Sequence, residues 1–230
     1  MKPNDISPVS TSIQSSHAAL IVTQGEAVIK VTPDQAWLSI TIENRDEKAE
    51  KARESNAKSM ILVQEALRNV GLIVDAIRTT QFNLSPEMEW RNGRNIMKGY
   101  LVRNQIQVRV DDLNHLSNVI DSVNATGNTT LMISSLHFTL KNQQEIEKEA
   151  LKLSVHSALV RAQAIASGAN QTLGRIVQIE EPNLERLTRT EPYVMHATMA
   201  KGEAHIETTL TVGDLEVRAK VILTAEMRSP

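Results

Sequence analysis

The side chains in this sequence that could do chemistry are six histidines and the acidic doublets Asp111-Asp112 and Glu180-Glu181. The histidines are His17, His115, His137, His156, His196 and His205, and no two of them stand four apart in the spacing that puts two ligands on one helix face. None sits in an HExxH frame, so no metal site is expected. His137 shares strand parity with Ser135 and Thr139, which sends its ring to a polar face. Adjacent carboxylates perform acid–base work only when burial and mutual repulsion split their pKa values. At the end of a strand two neighbours point apart, so the doublets read as caps and turns. No GxSxG is present, and the nine glycines are too scattered for a GxGxxG or a phosphate loop. With no cysteine there is no disulfide, zinc–thiolate site, iron–sulfur cluster or thiol nucleophile. A net charge of −2 lacks the basic excess of a nucleic-acid-binding domain. Neither catalytic, cofactor-binding nor metal residues are therefore expected. An enzyme would require a deep pocket gathering residues such as His137, Asp121 or Arg109.

The elements that must position these residues follow from periodicity. At 230 residues and 41% hydrophobic content the chain can bury a core without staples. Met1 to Ser16 is polar and rich in Ser, Pro and Asn. Residues 1–18 are expected to form a disordered tail, and 19–226 one domain. That opening lacks the apolar run of a secretory signal, as expected of a cytoplasmic chain or of a mature form. No apolar stretch approaches the roughly 20 residues of a membrane-spanning helix.

Leu20 to Thr32 reads as a strand interrupted at Gly25, and Pro33-Asp34 as a turn. Leu38, Ile40 and Ile42 then alternate with Ser39, Thr41 and Glu43, predicting a half-buried strand with one wet face. From Ala49 the period lengthens. Ala52, Asn56, Met60, Val63, Leu67 and Val70 form one helical stripe that Gly71 ends. Asn56, the polar member, reads as a buried side chain bonding nearby backbone in preference to a ligand contact.

A strand is predicted over Ala76–Leu84 and a return strand from Lys98 to Val110, with Ser85-Pro86, Trp90 and the hairpin signal Asn92-Gly93 in the connection. Asp111-Asp112 caps a short helix carrying Leu116, Val119, Ile120 and Val123. Leu131–Leu140 follows as a strand, then a long Ala-rich helix from Asn142 to Ser167, whose apolar members include Ala150, Leu153, Ala158, Ala162, Ile165 and Ala166. A strand over Arg175–Glu180 and a terminal hairpin, Ile206–Val212 and Leu215–Ala225 about Gly213-Asp214, complete the order ββαββαβαβββ. The fold class is α+β, a largely antiparallel sheet covered by long helices. Residues 182–203 hold Pro182, Pro192 and Gly202 and no steady period. Tyr193, Val194, Met195 and Met199 suit a contact surface, so this segment is a mobile connector or docks on another subunit.

Several stretches together resemble the SIMPL-domain family of bacterial periplasmic immunogenic and oxidative-stress defence proteins. They are Val22 to Ala27 with Pro33 to Ala36, Asn56, Leu67 to Gly71, Thr79 to Pro86, Gly99-Tyr100, Val119 to Asp121, Phe138 and Gly213-Asp214. The resemblance implies sheet with long packed helices and self-assembly into ring-like or channel-like oligomers of the bacterial envelope. It implies no catalytic residue or cofactor. The expected function is that of a non-enzymatic homo-oligomer serving the cell envelope or oxidative-stress tolerance, periplasmic by resemblance. The alternative is an adaptor that binds protein or small ligand through residues 182–203 and the Trp90 hairpin.

Overall fold

The computed structural model describes residues 19–127, 130–182, 210 and 212–230. The elements are β1 (Leu20–Val31), β2 (Gln35–Asp46), α1 (Ala49–Asn69), β3 (Ile77–Arg91), β4 (Arg94–Val110), α2 (Leu116–Asn124), β5 (Leu131–Thr139), α3 (Gln143–Gly168), β6 (Thr172–Glu180) and β7 (Leu215–Arg228). Short 3-10 turns at Val74–Ala76 and Leu113–His115 lead into β3 and α2. The strands form two sheets, ordered β1-β7-β6 and β3-β4-β2-β5. Every register assigned is antiparallel, as the α+β reading expects. The predicted strand Ile206–Val212 lies outside the described residues except for Leu210 and Val212, which are in no strand.

The described residues divide into two compact units, one gathering 19–28, 147–182 and 218–230, the other the described part of 29–146 with 210 and 212–217. In the second, Ala36, Leu38, Ile40 and Ile42 of β2 join Ile106, Val108 and Val110 of β4 on one sheet face. Val63 and Leu67 of α1 and Leu116, Val119, Ile120 and Val123 of α2 close over them. Helical spacing puts the α1 residues on one side, and strand alternation does the same for the sheet. Gly71 ends the helical run at φ 86°, a torsion that costs glycine little.

Three expectations need correcting. First, Ser39 and Thr41, on the face of β2 turned from the helices, are only 3% and 5% exposed. β2 is flanked on both sides, and the longer side chains of Gln107 beside Ser39 and of Gln105 and Met132 beside Thr41 shade the short ones. Second, Ser85-Pro86 is no turn: β3 runs on to Arg91, and β4 starts at Arg94. β3 is an edge strand, where a residue lacking N–H is tolerated. The chain reverses only at Asn92 and Gly93, with φ values of 50° and 75°, the pair of positive torsions a tight hairpin turn needs.

Third, Gly25 does not interrupt β1. In the first unit it sits where β1 presses on α3: an added Cβ would come within 2.8 Å of the Ala158 Cβ, and nearer still to the Ser154 carbonyl oxygen and the Ala158 amide. The face α3 presents is Ala150, Ser154, Ala158, Ala162 and Ala166, all buried, and of these Ala158, Ala162 and Ala166 pack with Ile21 of β1 and Val221, Leu223 and Ala225 of β7. Leu153 and Ile165, predicted among its apolar members, are 44% and 47% exposed because they lie about 100° round the helix from Ser154 and Ala166.

Candidate functional site

Two regions of the second unit carry side chains that packing does not explain. The first is the far half of the β3–β4 hairpin. Its antiparallel register pairs Phe82 with Asn104, Leu84 with Val102, Pro86 with Tyr100, Met88 with Met97 and Trp90 with Asn95. Leu84 therefore shares a face with Val102, which is buried beneath the helices. The apolar face of the sheet outruns the helix that covers it, for α1 packs on β2 and β4. Phe82, Leu84, Met88 and Trp90 are left 54%, 40%, 52% and 70% exposed, with Met97 at 47%. At the area an aromatic side chain presents, Phe82 and Trp90 alone keep roughly 250 Å² in water. A soluble monomer rarely exposes more than a few hundred Å² as one apolar patch.

The second region is the opposite face of the same sheet. Trp37 on β2 lies directly between Arg109 of β4 and His137 of β5, and the Arg78 guanidinium of β3 stacks 4.7 Å from the indole centroid. Thr139 Oγ1 donates to Gln35 Oε1 at 3.1 Å, Gln35 Nε2 to Asp111 Oδ1 at 2.7 Å, and Arg109 Nε to Asp111 Oδ2 at 3.1 Å. The Gln35 bond, with Arg109 behind it, holds the Asp111 carboxyl below the usual carboxylate range.

Of the three residues an enzyme would have gathered, Arg109 and His137 thus flank one tryptophan, while Asp121 belongs to α2 on the helix side. A shallow groove beside α1, lined by Met60, Gln64, Arg68, Val74, Ile77 and Thr79, contains none of them. Among the described residues no three His, Asp or Glu side chains stand together as metal ligands. His17, His196 and His205 lie outside the described residues, as does 183–203, all but the first residue of the segment expected to dock or connect. His115 Nδ1 sits 3.2 Å from Asp112 Oδ2, and Asp112 accepts from the Asn114 amide, the cap duty read for that doublet. Glu180-Glu181 is exposed where β6 ends.

Asn56 is 1% exposed; its Nδ2 donates to the Ile42 carbonyl and to Asn44 Oδ1, both at 3.1 Å. That is the backbone bond expected of it. Sequence reasoning missed the Trp37 cluster, because its members come from four strands and only the registers align them. The alternation Phe82, Leu84, Pro86, Met88, Trp90 is present in the sequence, but Ser85-Pro86 reads there as a turn that ends it.

The chain is 26% identical over 175 residues to the 26 kDa periplasmic immunogenic protein of Brucella melitensis, covering 73% of this chain and 68% of that protein. It is 23% identical over 159 residues to the uncharacterized protein YggE of Escherichia coli, covering 69% of this chain and 64% of that one. Similarity also extends at 18% identity over 207 residues to interleukin-1 receptor-associated kinase 1-binding protein 1 of Mus musculus, covering 89% of this chain and 75% of that protein. Among solved structures a de novo designed protein, Foldit4, aligns with 47% of this chain and 99% of its own at 14% identity and a TM-score of 0.26, too slight a likeness to carry an argument. Among the described residues no helix is long and apolar enough to cross a membrane. The family model that matches, over residues 21–225, is SIMPL, described as a protein of unknown function (DUF541), and this chain belongs to that family.

Proposed function

We propose that this protein works without catalysis as a homo-oligomer of the bacterial periplasm or cell envelope, in a ring-like or channel-like assembly that supports envelope integrity or oxidative-stress tolerance. The observation that carries the reading is the exposed apolar row of the β3–β4 hairpin, Phe82, Leu84, Met88 and Trp90 with Met97. A second copy supplies the surface the helices leave uncovered. Pro86 shapes how it docks: in an edge strand a proline blocks strand-to-strand addition, so the partner meets the apolar face and not the edge. The periplasmic placement rests on likeness to the Brucella protein, whose name carries that location.

Sedimentation velocity on the full chain and on a Met88→Ser/Trp90→Ser variant tests the assembly. The parent is expected to sediment as an oligomer and the variant as a smaller species with an unchanged thermal transition. Equal sedimentation of the two would remove the hairpin from the interface. The adaptor reading is favoured by the 70% exposure of Trp90 at the hairpin tip. It would replace the first if the parent sedimented as a monomer and captured a partner protein only with Trp90 intact.

A further inference from the structure

The geometry points to an oxyanion-binding site on the open face of the four-stranded sheet, formed by Arg78, Trp37, Arg109 and His137. It is independent of the hairpin's apolar row, which lies on the other face of that sheet. Arg78 gives Nε and Nη2 to a single neutral oxygen, Gln107 Oε1, at 3.1 and 2.6 Å, and its flat face rests on Trp37. Its charge meets no carboxylate among the described residues. By contrast, Arg45 and Arg103 on the same face both pair with Glu43, and Arg45 also with Glu87.

Arg109 is bound to Asp111 through Nε, leaving its two terminal nitrogens as donors. The Trp37 indole N–H and the His137 ring, on the two sides of one strand pair, have no hydrogen-bond partner among the described residues. Trp37 stands directly opposite Arg109 on one side and His137 on the other, with Cβ atoms on neighbouring strands about 5 Å apart, and Arg78 lies over its ring, so these donors line one stretch of the sheet around the indole. The Asp111 carboxylate beside it is already held on both oxygens, by Gln35 and Arg109. With two guanidinium charges against that one carboxylate, the corner keeps a formal charge of about +1.

A surplus of oriented donors with unneutralised positive charge takes an oxyanion. A guanidinium already fixed by stacking and by a glutamine offers its free edge to two oxygens at once, and it loses little side-chain freedom on binding. The class is a small carboxylate or phosphate. Stacking by an aromatic ligand is not part of the site, since Arg78 occupies the indole face.

With Trp90→Phe as background, Trp37 is the sole tryptophan and reports on the site. Its fluorescence is titrated with inorganic phosphate and, separately, with succinate, ionic strength being held constant against sodium chloride. A saturable change with either anion that chloride does not produce is expected, weakened at least tenfold by Arg78→Gln and severalfold by Arg109→Gln, both with unchanged thermal transitions. Arg78→Lys, which lacks the fork, is expected to restore little. Tighter saturation by phosphate marks a phosphate-bearing ligand and tighter saturation by succinate a carboxylate-bearing one. A response no different from chloride, or an Arg78→Gln variant that titrates like its background, would overturn the proposal.

Discussion

The two units lay helix on sheet by opposite means. In the unit built on α3, contact is made by backbone approach: alanines at 158, 162 and 166 sit with Ile21, Val221, Leu223 and Ala225, and Gly25 leaves room for nothing more than a hydrogen. In the unit built on α1 and α2, volume fills the space, with Leu38, Ile40, Ile42, Leu67, Ile106 and Leu116 among its fully buried members. A core of the first kind has little tolerance for added atoms, while one of the second kind is weakened by lost ones. The difference also explains where surface is left over. A bulky core needs a helix directly above it, and where β3 passes beyond α1 the apolar alternation continues with nothing among the described residues on top.

The largest effect should come from adding one methyl group. Gly25→Ala must move the α3 backbone at Ser154 and Ala158, and it is expected to cost more than about 3 kcal/mol in denaturant unfolding. A loss below about 1 kcal/mol would break the contrast. In the other unit the sensitive change is removal: Leu38→Ala, at a fully buried site, is expected to cost about 3 kcal/mol. Asn56→Ala leaves the Ile42 carbonyl and Asn44 Oδ1 short of a donor beneath α1, for an expected loss of about 1–2 kcal/mol. Replacing it with Leu should not recover that loss, since the Ile42 carbonyl stays buried.

Asp111 should have the smallest effect. Its folded pKa is lowered, so its contribution is present above the unfolded carboxylate value of about 3.9 and is lost as pH falls through the folded value. At 48% side-chain exposure solvent screens most of it, and Asp111→Asn should cost no more than about 0.5 kcal/mol at neutral pH. That difference should vanish in strong acid; one that grew as pH fell would contradict the assigned bonds.

Much of this architecture was legible in the sequence. The stripe through Ala52, Asn56, Val63 and Leu67 placed α1, and the alternation of Leu38, Ile40 and Ile42 placed β2, because each periodicity is a local consequence of one buried face. Asn92-Gly93 placed the hairpin turn. What escaped depends on neighbours. Whether Pro86 ends a strand is decided by its lying at a sheet edge, and whether Gly25 breaks one is decided by a helix more than a hundred residues away. Shading of Ser39 and Thr41, like the meeting of Arg78, Trp37, Arg109 and His137, is a product of register, and a single sequence carries register only where turns fix it.

The central functional claim is that the uncovered apolar row is covered by another copy of the chain. Light scattering behind size exclusion, on the full protein at micromolar concentration, measures this directly. A particle mass several times the 25.5 kDa of one chain is expected, falling when Met88 and Trp90 are both changed to serine. A parent protein that elutes at 25.5 kDa across that range would contradict it.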